Sequence, residues 1–285
     1  MRTYNDIYLD VRNMLRSAGT DNFALESKLL CAKAANKSVD ALLRDMNLYS
    51  SHEVEAKAMD FANRRAAGEP LAYITESWEF YGIDLYINRN VLIPRQDTEV
   101  LIDAAKECLI GKKMDARIMD LCCGSGCITV ALGKQLPAAR FIAVDKSRAA
   151  LDVARRNIAE KGLSNRAVCM QGDALAKAPM GMGNFDMIIC NPPYIKTSEI
   201  DTLDTEVKDY EPFDALDGGK DGLDFYRSII KNWRNLLSPD GIIIFETGED
   251  QAPDVSELLT MAGFVRVSAR KDTLGFDRAV IAYCR

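Results

Sequence analysis

The chain has 285 residues, 48% hydrophobic and 27% charged, enough for a sizeable core in one large domain or two unequal ones. No apolar stretch reaches the ~20 residues that a membrane helix needs, and residues 1–10 are polar without the apolar centre of a secretion signal, so a cytoplasmic protein is expected. The net charge of −6 argues against a broad duplex-DNA footprint, which needs a basic face.

The first 75 or so residues read as helical. Ile7, Val11, Met14 and Leu15 recur at helical spacing, as do Leu25, Leu29 and Leu30. Ser50 with Glu53 three positions on forms a capping-box pattern, opening a helix that runs to about Ala67 and stops at Gly68. The single histidine, His52, falls in that cap and reads as a solvated first-turn residue, because a helix amino terminus favours anions over an imidazolium. Between Trp78 and Ile93 the period changes to two: Ile83, Leu85 and Ile87 alternate with Asp84, Tyr86 and Asn88, which predicts a hairpin. The expected regions are therefore a helical domain over 1–75, a β-hairpin linker over 76–96, and a third region over 97–285.

That third region alternates strands with helices. Residues 117–122, 140–144, 167–170, 187–190 and 241–246 read as strands; 126–135, 147–161, 223–237 and 251–262 read as helices. The alternation predicts an α/β fold with a doubly wound, mostly parallel sheet. Residues 265–269 and 279–284 have no helix between them and predict an antiparallel pair closing one edge. Eight cysteines are scattered along the chain, and Cys122-Cys123…Cys127 lacks the paired spacing of a zinc site. They read as reduced, structural thiols, with no metal site expected.

Two segments carry chemistry. Asp120-Leu121-Cys122-Cys123-Gly124-Ser125-Gly126 follows the first strand of the region and opens a helix, where glycines let the backbone approach a ligand. Asp145 ends the next strand and suits a ribose diol; Asp173, after Gly172, ends the third where an adenine would lie. The three-glycine dinucleotide fingerprint is missing. Three acidic strand ends fit a cofactor with a cationic amino acid at one end and adenosine at the other, with Asp120 holding the ammonium. The plainer alternative is a tight strand-to-helix turn. The second segment is Asn191-Pro192-Pro193-Tyr194, ending the run 185–190. An amide, two conformationally restricted positions and a flat ring form a rigid receptor for a small planar group bearing an NH2.

Together these segments resemble class I S-adenosylmethionine methyltransferases with an NPPY-type motif, which act on adenine, cytosine or a glutamine amide. Other segments narrow the resemblance: Ile93-Pro94-Arg95-Gln96-Asp97-Thr98-Glu99; Gly68-Glu69-Pro70 with Phe80-Tyr81-Gly82; Glu211-Pro212 through Gly218-Gly219 to Asp221-Gly222-Leu223; Glu246-x-Gly248-x-x-Gln251; and Lys271-Asp272 through Gly275 to Asp277-Arg278. From about residue 65 to the end, the chain is similar to the HemK/PrmC family, which methylates the glutamine of peptide chain release factors.

The resemblance implies a Rossmann-like domain with a seven-stranded sheet over 97–285 and a substrate-recognition role for residues 1–75. It implies S-adenosyl-L-methionine as cofactor and a release factor as protein partner, with no membrane and no direct nucleic-acid partner. Cofactor-binding residues would be Asp120, Cys122, Cys123, Gly124, Ser125, Gly126, Asp145, Asp173, Ala174 and Asn191. Asn191, Pro192 and Tyr194 would be catalytic. Pro193, Arg95 and Thr98 would complete the substrate wall; the alternative for Arg95 is an ion pair with a nearby acid such as Asp97. Asn191 and the Pro192 carbonyl would accept the two amide N–H groups, Tyr194 would pack on the amide plane, and no dedicated base is needed. Cys122 and Cys123 replace the usual Gly and Thr of the family's DLGTGSG turn, and Cys122 is expected to keep a negative φ so that cofactor binding survives. Ala174 stands where relatives often carry an aromatic, so stacking on adenine would be weaker. The long acidic stretch 195–220 is either a lid for a basic partner or a solvated loop. Two competing readings are an adenine-amino methyltransferase acting on nucleic acid and a non-catalytic cofactor-binding module; a nicotinamide oxidoreductase fits least, since it has no use for NPPY.

Overall fold

In the computed structural model, which describes residues 2–109 and 113–285, the chain runs α1 (Tyr4–Ser17), α2 (Phe23–Ala34), α3 (Val39–Arg44), α4 (His52–Ala66), α5 (Leu71–Thr75), β1 (Trp78–Phe80), β2 (Ile83–Leu85), α6 (Glu99–Leu109), β3 (Arg117–Leu121), α7 (Cys127–Gln135), β4 (Arg140–Asp145) and α8 (Arg148–Glu160). It continues β5 (Ala167–Gln171), β6 (Phe185–Cys190), α9 (Thr205–Lys208), α10 (Asp224–Asn232), β7 (Leu237–Glu246), α11 (Ala252–Met261), β8 (Val265–Lys271) and β9 (Asp277–Tyr283). These elements fall into two units. One is Met1–Ser77 with Asp204–Tyr210, and the other is Trp78–Leu203 with Glu211–Arg285. The hairpin β1–β2 thus belongs to the sheet-bearing unit, and the short helix α9 to the helical one.

In the helical unit, Ile7, Val11 and Leu15 form one stripe of α1 and pack with Leu30, Leu42, Ala58, Phe61 and Ala62. Thr3 and Asp6 make a reciprocal capping box at the start of α1. The cap of α4 is Ser51, whose side chain accepts from Val54 N–H, and not the expected Ser50. Ser50 is buried, and its N–H donates to Arg2 O at 2.8 Å beside the Thr3–Tyr49 bridge, so long-range pairing holds it in place and the next serine caps. Leu25 is exposed although its spacing predicted a buried face. His52 is solvated, as expected. Arg65, nearly buried, lies between Glu26 (2.5 Å) and Glu206 of α9 (2.7 Å), and Tyr210 donates to Ala67 O.

In the other unit the strand order is β5-β4-β3-β6-β7-β9-β8. The first five strands are parallel, and β9 pairs antiparallel with both β7 and β8, the expected closing pair. β3 and β6 are almost wholly buried, as parallel strands covered on both faces are. The core beneath the site includes Leu121, Val144, Cys190, Phe245, Tyr226 and Trp233. β7 begins at Leu237, earlier than the expected 241. Its register with β6 jumps from Phe185–Leu237 to Met187–Ile242, so the segment Pro239-Asp240-Gly241 forms an irregularity inside the strand. The chain moves outward from β3 to β4 and β5, then returns to β6 and β7. The crevice outside the carboxyl ends of β3 and β6 is therefore the topological switch point, where open α/β sheets bind ligands.

Arg65→Met leaves the Glu26 carboxylate buried and unpaired, and should cost about 3 kcal/mol. A denaturant melt with a lowered midpoint would bear this out; an unshifted midpoint would contradict it.

Candidate functional site

A cavity of about 700 Å³ opens at the carboxyl ends of β3, β4 and β6. Its wall is built first from the turn after β3, where Cys122, Cys123, Gly124 and Ser125 all line the space. Cys123 N–H donates to Val144 O and Gly126 N–H to Cys123 O, which folds the turn back on the sheet. Gly126 caps α7 with φ +76, and a Cβ there would lie 3.2 Å from Ala154, so both the backbone angle and the packing of α8 call for glycine. Cys122 corrects the expectation of a negative φ: it sits at +59, in the left-handed region. The turn needs that conformation whatever residue fills it, and a side chain there costs roughly 1–2 kcal/mol relative to the right-handed form.

The three acidic residues do different work. Asp145 is on the wall, where Oδ2 accepts Gly124 N–H at 2.9 Å and Oδ1 accepts Ser147 N–H at 2.8 Å. Burial raises its pKa despite those bonds. Asp173 and Ala174 line the same cavity from beyond β5. Asp120 lies behind the wall, fully buried. Its Oδ2 accepts both the N–H and the hydroxyl of Thr129 (3.0 and 2.7 Å), bracing the first turn of α7, while Oδ1 has no hydrogen-bond partner. Burial pushes its carboxyl up to about 7. Asp120 stands inside β3 and does not line the cavity, so its sequence position alone did not reveal that it acts from behind.

Asn191 and Pro193 line the cavity too, opposite the cofactor-type turn, while Pro192 is buried. Asn191 Nδ2 donates at 3.2 Å to the Oγ1 of Thr98, which is itself on the wall. The Tyr194 hydroxyl donates to Glu246 Oε1 at 3.3 Å, and its pKa is raised by burial first and by the charge of Glu246. Glu246 ends β7 with no solvent exposure. Burial pushes its carboxyl up to about 7, against the bond from Thr98, the charge of Arg278 and the bond from Tyr194. Sequence reading used Glu246 only as a pattern residue. Its hydrogen bond from Tyr194 comes from bringing together segments far apart in the chain.

The backbone of the Asn-Pro-Pro-Tyr turn is clamped from outside. Gln251 Nε2 donates to Tyr194 O at 2.9 Å, and Gly218 approaches so closely that a Cβ would sit 2.6 Å from Tyr194 Cα. Arg95 pairs with Glu211 at 2.5 Å and not with Asp97, which faces Arg278 at 3.4 Å. Glu211 also accepts Ile93 N–H, and it is the sequence-distant acid that the local search for a partner of Arg95 overlooked. Arg95 itself is not on the wall; its neighbour Pro94 is, with Leu92, Phe213 and Phe225 as apolar lining that no periodicity had marked.

Among the described residues no group of three or more His, Cys, Asp or Glu could hold a metal ion, and no helix is long and apolar enough to cross a membrane. An adenosyl amino-acid cofactor fits the residues present. Space is open above Gly124 where a Cβ would stand, a carboxylate sits at the end of β4, and a wide cavity connects both to Asn191.

Residues 97–207 match the family model "Methyltransferase small domain", and residues 6–75 match "PrmC N-terminal domain". The chain is 36% identical to the release factor glutamine methyltransferase of Clostridium acetobutylicum over 278 residues, covering 97% of each chain. It is 38% identical to that of Geobacter sulfurreducens over 269 residues, covering 94% of this chain and 92% of that one. Among solved structures, a methyltransferase from Pyrococcus furiosus shares the fold, with a TM-score of 0.54 and 16% identity over 78% of this chain and 98% of that one.

Two measurements test this reading of the site. Cys122→Gly should raise stability by about 1 kcal/mol, since glycine adopts positive φ without strain; a destabilised variant in urea melts would argue against a strained turn. The carboxyls of Asp120 and Glu246 titrate near 7 and not near 4, so the folded chain binds more protons than the unfolded chain between about pH 4 and 7. Stability therefore falls as pH rises through that window. Asp120→Asn should flatten this slope by about 1.4 kcal/mol per pH unit, and an unchanged slope in melts at pH 5, 6 and 7 would refute the assignment.

Proposed function

The chain belongs to the release factor glutamine methyltransferase family, and from that premise we propose that it transfers a methyl group from S-adenosyl-L-methionine to the side-chain amide nitrogen of the GGQ-motif glutamine of peptide chain release factors, in the cytoplasm. The product cofactor is S-adenosyl-L-homocysteine. One observation carries the reading: the glycine turn with Asp145 and the amide of Asn191 open on a single cavity, so a cofactor cradle and an NH2 receptor share one space. When bound, the cofactor supplies an electrophilic methyl group on a sulfonium. The residues that would hold it are Cys122, Cys123, Gly124 and Ser125 in the turn, with Asp145 suited to the ribose diol and Asp173 and Ala174 to the adenine end. Asp120 supports them from behind through Thr129.

A carboxamide nitrogen is a weak nucleophile because its lone pair is delocalised into the carbonyl, so the protein's task is chiefly alignment. Asn191 spends its Nδ2 on Thr98, which leaves Oδ1 as an acceptor for one substrate N–H. The Pro192 carbonyl accepts the other. Both acceptors are fixed before substrate arrives, since the turn that carries them is clamped by Gln251 and Gly218. Tyr194 does not line the cavity itself; its ring stands next to the lining residue Pro193 with its hydroxyl tied to Glu246, and it would pack on the substrate amide plane. The N-protonated cation first formed, with both hydrogens and the new methyl on nitrogen, is strongly acidic and gives one proton to water without a dedicated base, leaving the neutral N-methyl amide. The helical unit serves release-factor recognition.

The test is transfer of label from tritiated methyl donor to a bacterial release factor, with duplex DNA in a parallel arm. Label in the release factor, lost when its GGQ glutamine is replaced, is expected. Label in DNA alone would overturn the reading in favour of an adenine-amino methyltransferase. Asn191→Ala should lower kcat on the order of 10²-fold, by removal of one preorganised polar group, and an unchanged kcat would remove Asn191 from the mechanism.

A further inference from the structure

We propose that Asn157 is a positioning residue for methyl transfer: its side-chain amide ties the carbonyl of Ser125, in the cofactor turn, to the backbone of Tyr86, where the segment leading to the substrate wall begins. The proposal rests on the function proposed above. It deepens that reading by giving one buried side chain the task of holding the cofactor cradle in place against the wall that receives the amide.

The face of α8 explains why an amide stands there. Ala150, Ala154 and Asn157 recur at i, i+4 and i+7, on one side of the helix. Ala150 lines the cavity. Ala154 lies against Gly126, so close that a Cβ on the glycine would sit 3.2 Å from its own. Two small residues thus let the helix approach the turn, and the third meets the polar backbone that this approach buries. Asn157 has no solvent exposure and does not itself line the cavity.

Hydrogen counting shows what the amide does. An asparagine side chain has two N–H donors and one oxygen acceptor. Asn157 Oδ1 accepts Tyr86 N–H at 2.8 Å, and Nδ2 donates to Tyr86 O at 3.0 Å. The amide therefore meets both polar groups of one residue, as a neighbouring strand would. This double contact fixes which way round the amide stands, because Tyr86 N–H needs an acceptor and Nδ2 is not one. The second hydrogen of Nδ2 goes to Ser125 O at 2.9 Å. One side chain satisfies three backbone groups from positions 71 and 32 residues away.

The remaining holds on the turn come from the sheet: Cys123 N–H donates to Val144 O and Gly124 N–H to Asp145. Ser125 O is the contact that runs to α8 and, through Asn157, to Tyr86. From Tyr86 the chain continues through Val91, Leu92 and Pro94 on the cavity wall to Thr98, which accepts from Asn191. Asn157 is where the segment that carries the substrate wall is joined to the turn that carries the cofactor.

The test measures the dissociation constant of S-adenosyl-L-homocysteine by calorimetry, and kcat on a release factor at saturating methyl donor, for Asn157→Asp, Asn157→Ala and Ile158→Ala. Asn157→Asp keeps the shape and the acceptor for Tyr86 N–H, but it loses both donors and sets a carboxylate against two carbonyls. Asn157→Ala removes the amide and leaves room for water. Ile158 is the next residue of α8, is buried and makes none of these bonds, so its alanine variant controls for destabilisation alone. Asn157→Asp should raise the dissociation constant about 10-fold or more, the effect of leaving buried acceptors unpaired. It should also lower kcat roughly 10- to 100-fold, as misplacing a reactant does. Asn157→Ala should do the same to a smaller degree. Ile158→Ala should lower the urea midpoint and leave both quantities within about twofold of wild type. A side chain that only fills space gives the opposite order, with the isosteric aspartate mild and the alanine severe. That opposite order, an unmoved dissociation constant in Asn157→Asp, or an unmoved kcat would each overturn the proposal. If Asn157→Asp does not fold, Asn157→Ala decides the matter: effects larger than those of Ile158→Ala support it, and equal effects overturn it. Wild-type protein that fails to label a release factor counts against the function; wild-type activity with indifferent Asn157 variants counts against this inference alone.

Discussion

The parallel pairing of β3 with β6, which sets Leu121 beside Cys190, is the constraint on which the site depends. One residue past this pair, the chain leaves each strand in a turn: Cys122 begins the glycine-bearing turn and Asn191 begins the Asn-Pro-Pro-Tyr turn. Parallel strands put both exits at the same end of the sheet, and the reversal of strand order at β3 opens a crevice between them. A slip of register by one residue would turn buried side chains to the opposite face and part the two turns. The continuous burial of both strands makes such a slip costly, so the precision of the site derives from the core under it.

Around that pairing the protein keeps more ionisable groups in its interior than stability requires. Asp120 and Glu246 are both without solvent exposure, and each has one oxygen lacking a hydrogen-bond partner. One props the cofactor turn through Thr129 and the other is joined to the Asn-Pro-Pro-Tyr turn through the Tyr194 hydroxyl. The common device is a side-chain hydroxyl, of Thr129 or of Tyr194, that ties a buried carboxyl to a working segment. An interposed hydroxyl converts a bulky, costly charge into a short-range directional constraint. The site is thus organised from behind, by residues that do not all reach its surface.

Much of this was legible in the sequence. Strand and helix alternation gave the doubly wound sheet, since hydrophobic period responds directly to burial. The two motif turns, Asp145, Asp173 and Asn191 line one cavity, and each could be located in the sequence because it follows a strand whose apolar run announces it. What escaped was decided over distance. Ser51 caps α4 in place of Ser50 because Arg2, far upstream, claims Ser50. Arg95 found Glu211 and not Asp97, since proximity in sequence is a poor guide to pairing across a folded turn. The positive φ of Cys122 went unforeseen because the turn's geometry prevailed over the residue's own preference. The resemblance to a known family marked Glu246 as part of a pattern but gave it no role, since its contact with Tyr194 exists only once β7 and the turn after β6 are brought together.

The division into units carries a consequence for how the protein is made. Arg65 and Glu26 are joined by Glu206, which belongs to a segment that leaves the ribosome long after the rest of the helical unit. The helical unit therefore emerges incomplete, with an ionic cluster missing one acid, and waits for β3 to β6 to be synthesised before its last piece arrives. Contacts of such large sequence separation form late in folding. A chain cut after Ser77 would yield the same unfinished unit permanently, and the nascent protein passes through that state each time it is translated.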